Sequence, residues 1–321
     1  MLHWIQKRCM KCRPQDTAGL DGSIELGECM KTKSTKIQIL GSLGLLSATI
    51  MWGFSFVVVK DSTDAISIWY LLSLRYLIAV ISMLPIVLIR RKLITKEMIG
   101  QGVVIGLLLI VGHYFQTIGC KYTTAGKNAF ITTFYVILVP LLGWGITKKR
   151  PDKKTFPAAF IALAGLALLS LQDNLTIQLG DILTFVCSVA LAVHIIIVDR
   201  YTEKSDPLLL TFWQFFFANL FAWVIIGIIR EPFPREIFEP QRALAMFYIG
   251  FFSNAVGVTI QIVCQKFTDP NVAAVILSME SVFGMLFSVL LLGEIFTGRM
   301  FLGCVCMLGA MLMSELKIGR D

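Results

Sequence analysis

Apolar runs of about 18–23 residues recur along this chain, separated by short polar breaks, and each run is long enough to cross a bilayer as a helix. The runs cover Ile39–Val59, Ser67–Ile89, Met98–Ile118, Thr123–Thr147 and Thr155–Leu171 in the first half. In the second they cover Gly180–Val198, Pro207–Ile229, Ala243–Cys264, Pro270–Leu292 and Thr297–Ser314. The longest break between them is Arg230–Arg242, so no soluble domain fits between spans. The pattern predicts an all-α integral membrane fold with ten transmembrane helices.

Composition supports that class. The 321 residues are 56% hydrophobic and 16% charged, with a mean hydropathy of +0.75. An average soluble domain is about 25% charged, so this chain has too little polar surface to cover a water-soluble globule. The same numbers exclude a disordered chain. The net charge of +8 would suit a nucleic-acid partner, but the basic residues sit in short runs beside spans, Arg90-Arg91-Lys92 and Lys148-Lys149-Arg150 among them. Runs so placed are topology signals, and no nucleic-acid partner is expected. Cys120, Cys187, Cys264, Cys304 and Cys306 lie in or at the ends of apolar runs, where cysteine behaves as a small hydrophobe. Cys9 and Cys12, with His3 nearby, lack the second ligand pair of a structural zinc site.

Residues 1–38 read as a polar, disordered N-terminal tail, with Met30 a candidate true start. The first apolar run begins too late for a secretory signal peptide. With the N-terminus inside, 21 of the 29 Lys and Arg residues fall in inner segments and six in outer ones, while Arg75 and Lys127 lie within spans. Positive charge concentrates on the cytoplasmic side, which puts both termini there. Asn174-Leu175-Thr176 is a glycosylation pattern in an outer loop.

The second half echoes the first. A shift of 145 residues aligns Lys121–Leu171 with Lys266–Leu316 without a gap, with eight identities that include Ala129/Ala274, Ile131/Ile276 and Phe156/Phe301. It also superposes Gln116 on Gln261, and a shift of 140 superposes Arg90 on Arg230. Residues 39–171 and 180–316 are thereby expected to be two five-helix repeats (5+5). An odd number of spans inverts the second copy, and inverted repeats are the architecture of alternating-access transporters that bind solute near the midplane.

Several motifs carry a family resemblance: Trp52-Gly53 in the first span, Tyr122-Thr123-Thr124-Ala125-Gly126 before the fourth and Leu138-Val139-Pro140-Leu141-Leu142 within it. Met279-Glu280-Ser281-Val282 and Gly293-Glu294 in the ninth complete the set. Over residues 40–316 the chain resembles EamA-type transporters of the drug/metabolite transporter superfamily. It departs at Ser281, where the family often has Pro, and at Lys148-Lys149-Arg150, which replace a Gly-Glu-type ending. The resemblance implies ten helices as 5+5 and export of small metabolites or drugs from the cell (inner or plasma) membrane. It leaves the substrate open.

Ionisable and strongly polar groups inside a span are costly and usually face an interior cavity, so each is a candidate. Glu280 sits at the centre of the ninth span. A carboxyl there persists only if neutral, solvated by a cavity, or paired; either it couples transport to protons or it forms a structural pair with Arg75. Its repeat mate on the 145 shift is Tyr135, central in the fourth span. Asn254, central in the eighth, suits helix-to-helix hydrogen bonding or substrate contact. Gln116 and Gln261 suit cavity-rim or gate positions, with interhelical bonding as the alternative. His113 and His194 would exchange protons near neutral pH or simply be hydrogen-bonded. Lys127 snorkels to the outer end of its span. Trp52 is the aromatic candidate for a pocket wall, while Trp69, Trp144, Trp213 and Trp223 read as packing or interfacial anchors. Gly102 and Gly106 permit close helix packing.

No P-loop, H-E-x-x-H or G-x-S-x-G motif is present, and neither an enzyme activity nor a cofactor or metal is expected. The reading is a secondary exporter of small organic solutes, with a small-molecule substrate, protons and the lipid bilayer as partners and a homodimer left open. A nucleotide-sugar or sugar-phosphate carrier is the rival in the same superfamily, but it would want several cavity cations and only Arg75 is well placed. An intramembrane lipid-modifying enzyme would want clustered carboxylates or histidines, which the spans lack.

Overall fold

The computed structural model describes residues 22–63, 66–122, 125–148, 151, 153–170, 178–292 and 297–315. The chain divides into Met1–Leu40 and Gly41–Asp321, and the second unit holds the helix packing and the cavity described below. Ten helices, taken over the described residues, account for the ten apolar runs. They are α1 (Gly22–Thr63), α2 (Ile68–Arg90), α3 (Lys96–Tyr122), α4 in two pieces (Ala125–Thr132 and Tyr135–Thr147), α5 (Thr155–Ser170), α6 (Leu179–Thr202) and α7 (Pro207–Ile229). There follow α8 (Pro240–Gln265), α9 in two pieces (Pro270–Leu277 and Glu280–Leu292) and α10 (Gly298–Glu315). Seven helices are long and apolar enough to cross a membrane; Tyr135–Ile146, Thr155–Gly165 and Gly298–Met313 are shorter apolar helices.

Two expectations change here. The first helix is already formed at Gly22, where a disordered tail was expected through residue 38; extending an existing helix costs far less than nucleating one. Cys9, Cys12, His3, the Asn174 pattern and Gly293-Glu294 lie outside the described residues, as does the side chain of Lys127. The second change is the interruption of α4 and α9, both expected to be continuous. The breaks fall at Thr133-Phe134 and Ser278-Met279, positions that coincide on the 145-residue shift.

Local sequence explains several ends. Asp206 caps α7 through the main-chain N–H groups of Leu208 and Leu209, ahead of Pro207 in the first turn. Its carboxylate also pairs with Arg90 at the end of α2. Lys148 and Arg230 close α4 and α7 in the left-handed conformation, at φ 58° and 53°.

Polarity is inverted relative to a soluble protein. Leu88, Ile228 and Leu290 are 61%, 74% and 75% exposed, while Arg75, Asn254 and Glu280 are 5%, 0% and 6% exposed. Lipid accepts the apolar belt, and the polar groups are held inside. Packing between helices then rests on shape, with small residues letting backbones approach. An added Cβ at Gly106 would lie 2.7 Å from the Gln214 carbonyl of α7, and one at Gly250 would lie 2.6 Å from Ile78 Cβ of α2. The interfaces obey the exchange of halves: α3 packs on α6 and α7, and α8 correspondingly on α1 and α2. The helix pairs α2/α7, α4/α9 and α5/α10 pack on their own repeat mates.

Candidate functional site

A cavity of about 90 Å³ opens between the two repeats, walled by α1, α2, α3 and α4 from the first and α6, α8 and α9 from the second. Such a space holds several water molecules or a compact organic solute. All nine candidates read from the sequence line it. Glu280, Tyr135, Arg75 and Asn254 contribute the central polar groups; Gln116, Gln261, Trp52, His113 and His194 complete the set.

The helix breaks position the first pair. Tyr135 and Glu280 are the opening residues of the second pieces of α4 and α9, and they meet: Tyr135 Oη donates to Glu280 Oε1 at 3.3 Å. Residues 145 apart in sequence thus touch across the repeat interface. Discontinuous helices in corresponding positions of two repeats mark the binding region of many carriers.

Arg75 does not pair with Glu280, its expected partner in a structural ion pair. Its Nη2 donates to Asn254 Oδ1 at 2.7 Å, and the only ion pair among the described residues is Arg90 with Asp206. The close crossing of α2 and α8 at Gly250, four residues before Asn254, brings the two side chains together. Arg75 also lies over the Tyr76 ring, 5.9 Å from its centroid. Asn254 sits within a π-helical stretch, Tyr248–Val258, that interrupts α8; such wide turns are frequent at functional sites. In the same stretch the Ser253 carbonyl accepts from Trp52 Nε1 at 2.9 Å. Gly257 leaves room for that indole, since a Cβ there would be 2.9 Å from Trp52 Nε1.

The remaining polar groups are tied into the wall. Tyr76 Oη and His113 Nδ1 are hydrogen-bonded at 2.7 Å, with the two rings stacked. His194 Nε2 bonds Gln214 Oε1 of α7 at 3.0 Å. Gln261 Nε2 donates to Gln265 Oε1 at 3.3 Å, and Gln265 Nε2 donates to the Ile195 carbonyl at 3.0 Å, linking α8 to α6. The Gln116 carbonyl accepts from Asn128 Nδ2 at 3.0 Å. Asn128, which the sequence reading passed over, reaches Thr184 Oγ1 of α6 at 2.8 Å as well. A lone amide in an apolar run, beside Lys127, was the available signal. Trp69 stacks on Tyr114 at 4.3 Å, the packing role expected of it.

A model of the EamA-like transporter family matches residues 39–171 and 178–315. The chain belongs to the EamA-like transporter family. It is therefore a multi-pass membrane transporter of two EamA domains, and not an enzyme. An uncharacterized transporter of Archaeoglobus fulgidus is 32% identical over 283 residues, spanning 88% of this chain and 87% of its own. The transporter YoaV of Bacillus subtilis, also uncharacterized, is 20% identical over 286 residues, 87% and 97% of the two chains. A crystal structure at 17% identity superposes with a TM-score of 0.72 over 86% of this chain and 96% of its own, a likeness of fold. As an EamA transporter the protein carries a small molecule.

Proposed function

We propose that this EamA protein is a secondary exporter of small organic metabolites or drugs, working by alternating access around the cavity between its repeats and coupled to protons through Glu280. The Tyr135–Glu280 hydrogen bond carries the reading. It joins the two halves at the point where both helices are broken, so rocking one repeat against the other must make or break it. The carboxyl is the cavity's one acidic group among the described residues, and its protonation state decides whether Tyr135 faces an acceptor carboxylate or a neutral acid. A proton taken up or released there changes the free-energy balance between the two arrangements.

Both termini and Lys148–Lys154 are assigned to the cytoplasm on the loop charge asymmetry. Single cysteines at positions 150 and 236 should label from opposite sides of the membrane; labelling from one side would defeat the inverted-repeat topology. The nucleotide-sugar rival is disfavoured because Arg75 is the cavity's one guanidinium or ammonium group among the described residues.

The test of coupling uses pyranine-loaded proteoliposomes challenged with a panel of amino acids, organic acids and cationic drugs. The wild type should move protons in response to at least one solute. Glu280→Gln keeps shape while removing titration, so proton movement should fall by about tenfold or more while downhill flux of the same radiolabelled solute persists. Equal proton movement in the mutant would overturn the role of Glu280; no solute response in the wild type would overturn proton coupling.

A further inference from the structure

The Arg75–Asn254 pair leaves two donors over. Arg75 Nε and Asn254 Nδ2 are buried and have no hydrogen-bond partner, although both side chains line the cavity. They belong to two groups already locked together by the 2.7 Å bond from Arg75 Nη2 to Asn254 Oδ1. Asn254 has turned its oxygen to the guanidinium, so its N–H₂ end is the one left free. A buried cation with a free Nε–H beside a free amide donor is a site built for an anion. The other titratable groups of the cavity do not supply one: Glu280 is engaged by Tyr135, His113 by Tyr76 and His194 by Gln214.

We propose that Arg75 and Asn254 form an anion-binding subsite of the cavity, and that its ligand is the carboxylate of a compact monocarboxylic acid with an apolar body. This rests on the reading of the cavity as the transport site. One guanidinium and one amide match a single carboxylate; a phosphate monoester brings a second charge with no second cation to meet it. Leu109, Ile195, Val258 and Leu277 of the lining offer nothing but apolar contact for the rest of the ligand.

Isothermal titration calorimetry on the detergent-solubilised full chain at about pH 7.5, where the acid is ionised, tests the assignment. The probes are 4-methylpentanoate, its amide, 4-methylpentylamine and isopentyl phosphate. The acid should bind, and about tenfold or more tightly than each of the others. Arg75→Gln should weaken acid binding by about tenfold to a hundredfold, with Arg75→Lys in between because it keeps the charge and loses the fork. Asn254→Asp guards against misfolding: it places a carboxylate against Arg75, so the protein should fold at least as stably as the wild type and no longer bind the acid. The assignment is overturned if the acid fails to bind at about 10 mM, if the amide, amine or phosphate binds equally well, or if Asn254→Asp binds like the wild type. Counterflow of labelled 4-methylpentanoate separates the two proposals. Binding without counterflow defeats the transport reading of the cavity and keeps the subsite, whereas counterflow of other solutes without acid binding defeats the subsite and keeps the transport reading.

Discussion

Two pairs of helices, α4 with α9 and α5 with α10, stand in the same relation within the fold: each joins repeat mates across the interface. They are put to opposite uses. α4 and α9 are broken at equivalent positions and supply Asn128, Tyr135, Leu277 and Glu280 to the cavity. α5 and α10 are continuous, and none of their described residues lines the cavity. Between them an added Cβ at Gly165 would lie 2.8 Å from the Gly303 carbonyl and 2.9 Å from Cys306 Cβ, and Arg299 Nε donates to the Leu168 carbonyl at 3.2 Å. A symmetric helix pair lines the cavity where the backbone is interrupted and polar groups open onto it. Where small residues let two intact helices close on each other, the pair only packs.

The contrast can be broken most sharply at two glycines of similar crowding. A Cβ at Gly53 would lie 2.6 Å from Phe283 Cβ and 2.7 Å from the Gly284 main-chain nitrogen, in the α9 piece that begins with Glu280. Gly53→Ala should destabilise by about 1–3 kcal/mol and also displace that piece, cutting counterflow by about tenfold or more. Proteoliposome flux normalised to folded protein measures it. Gly165→Ala should show a similar stability loss of about 1–3 kcal/mol in thermal unfolding, with the flux of the surviving protein unchanged within about twofold. Flux lost in parallel at both sites would erase the distinction between pathway and scaffold. A smaller effect is expected outside both pairs of roles. Arg230→Gly relieves a left-handed conformation at φ 53° and should stabilise by about 1 kcal/mol, with transport untouched; a change in flux would mean that the end of α7 takes part in the motion.

The comparison also separates what was legible in the chain from what was not. Phe160–Leu169 and Leu302–Met313 carry no charged side chain, and nothing in their composition calls for a cavity. At Gly309, however, a Cβ would meet nothing within 4 Å, so a small residue alone does not locate an interface. In α4 and α9, Tyr135 and Glu280 were identified as mates from the 145-residue shift, but the breaks beside them were not. Thr133-Phe134 and Ser278-Met279 contain neither Pro nor Gly, and nothing in their hydropathy interrupts the run. Asn254 was flagged by its depth, and its partner was not.

The sequence by itself determined the class, the ten apolar runs, the 5+5 repeat and nine of the side chains that line the cavity. Those follow from local composition and from the cost of placing a polar group against lipid, a cost that applies residue by residue. Tertiary structure decided who meets whom. Glu280 was the credible partner for Arg75, and the α2–α8 crossing that Gly250 permits, with the π-helical stretch that carries Asn254, put Asn254 there instead. That crossing depends on contacts between residues more than 170 positions apart. A hydropathy pattern registers the depth of each group in its own helix; which neighbouring helix will satisfy it depends on how the backbones pack.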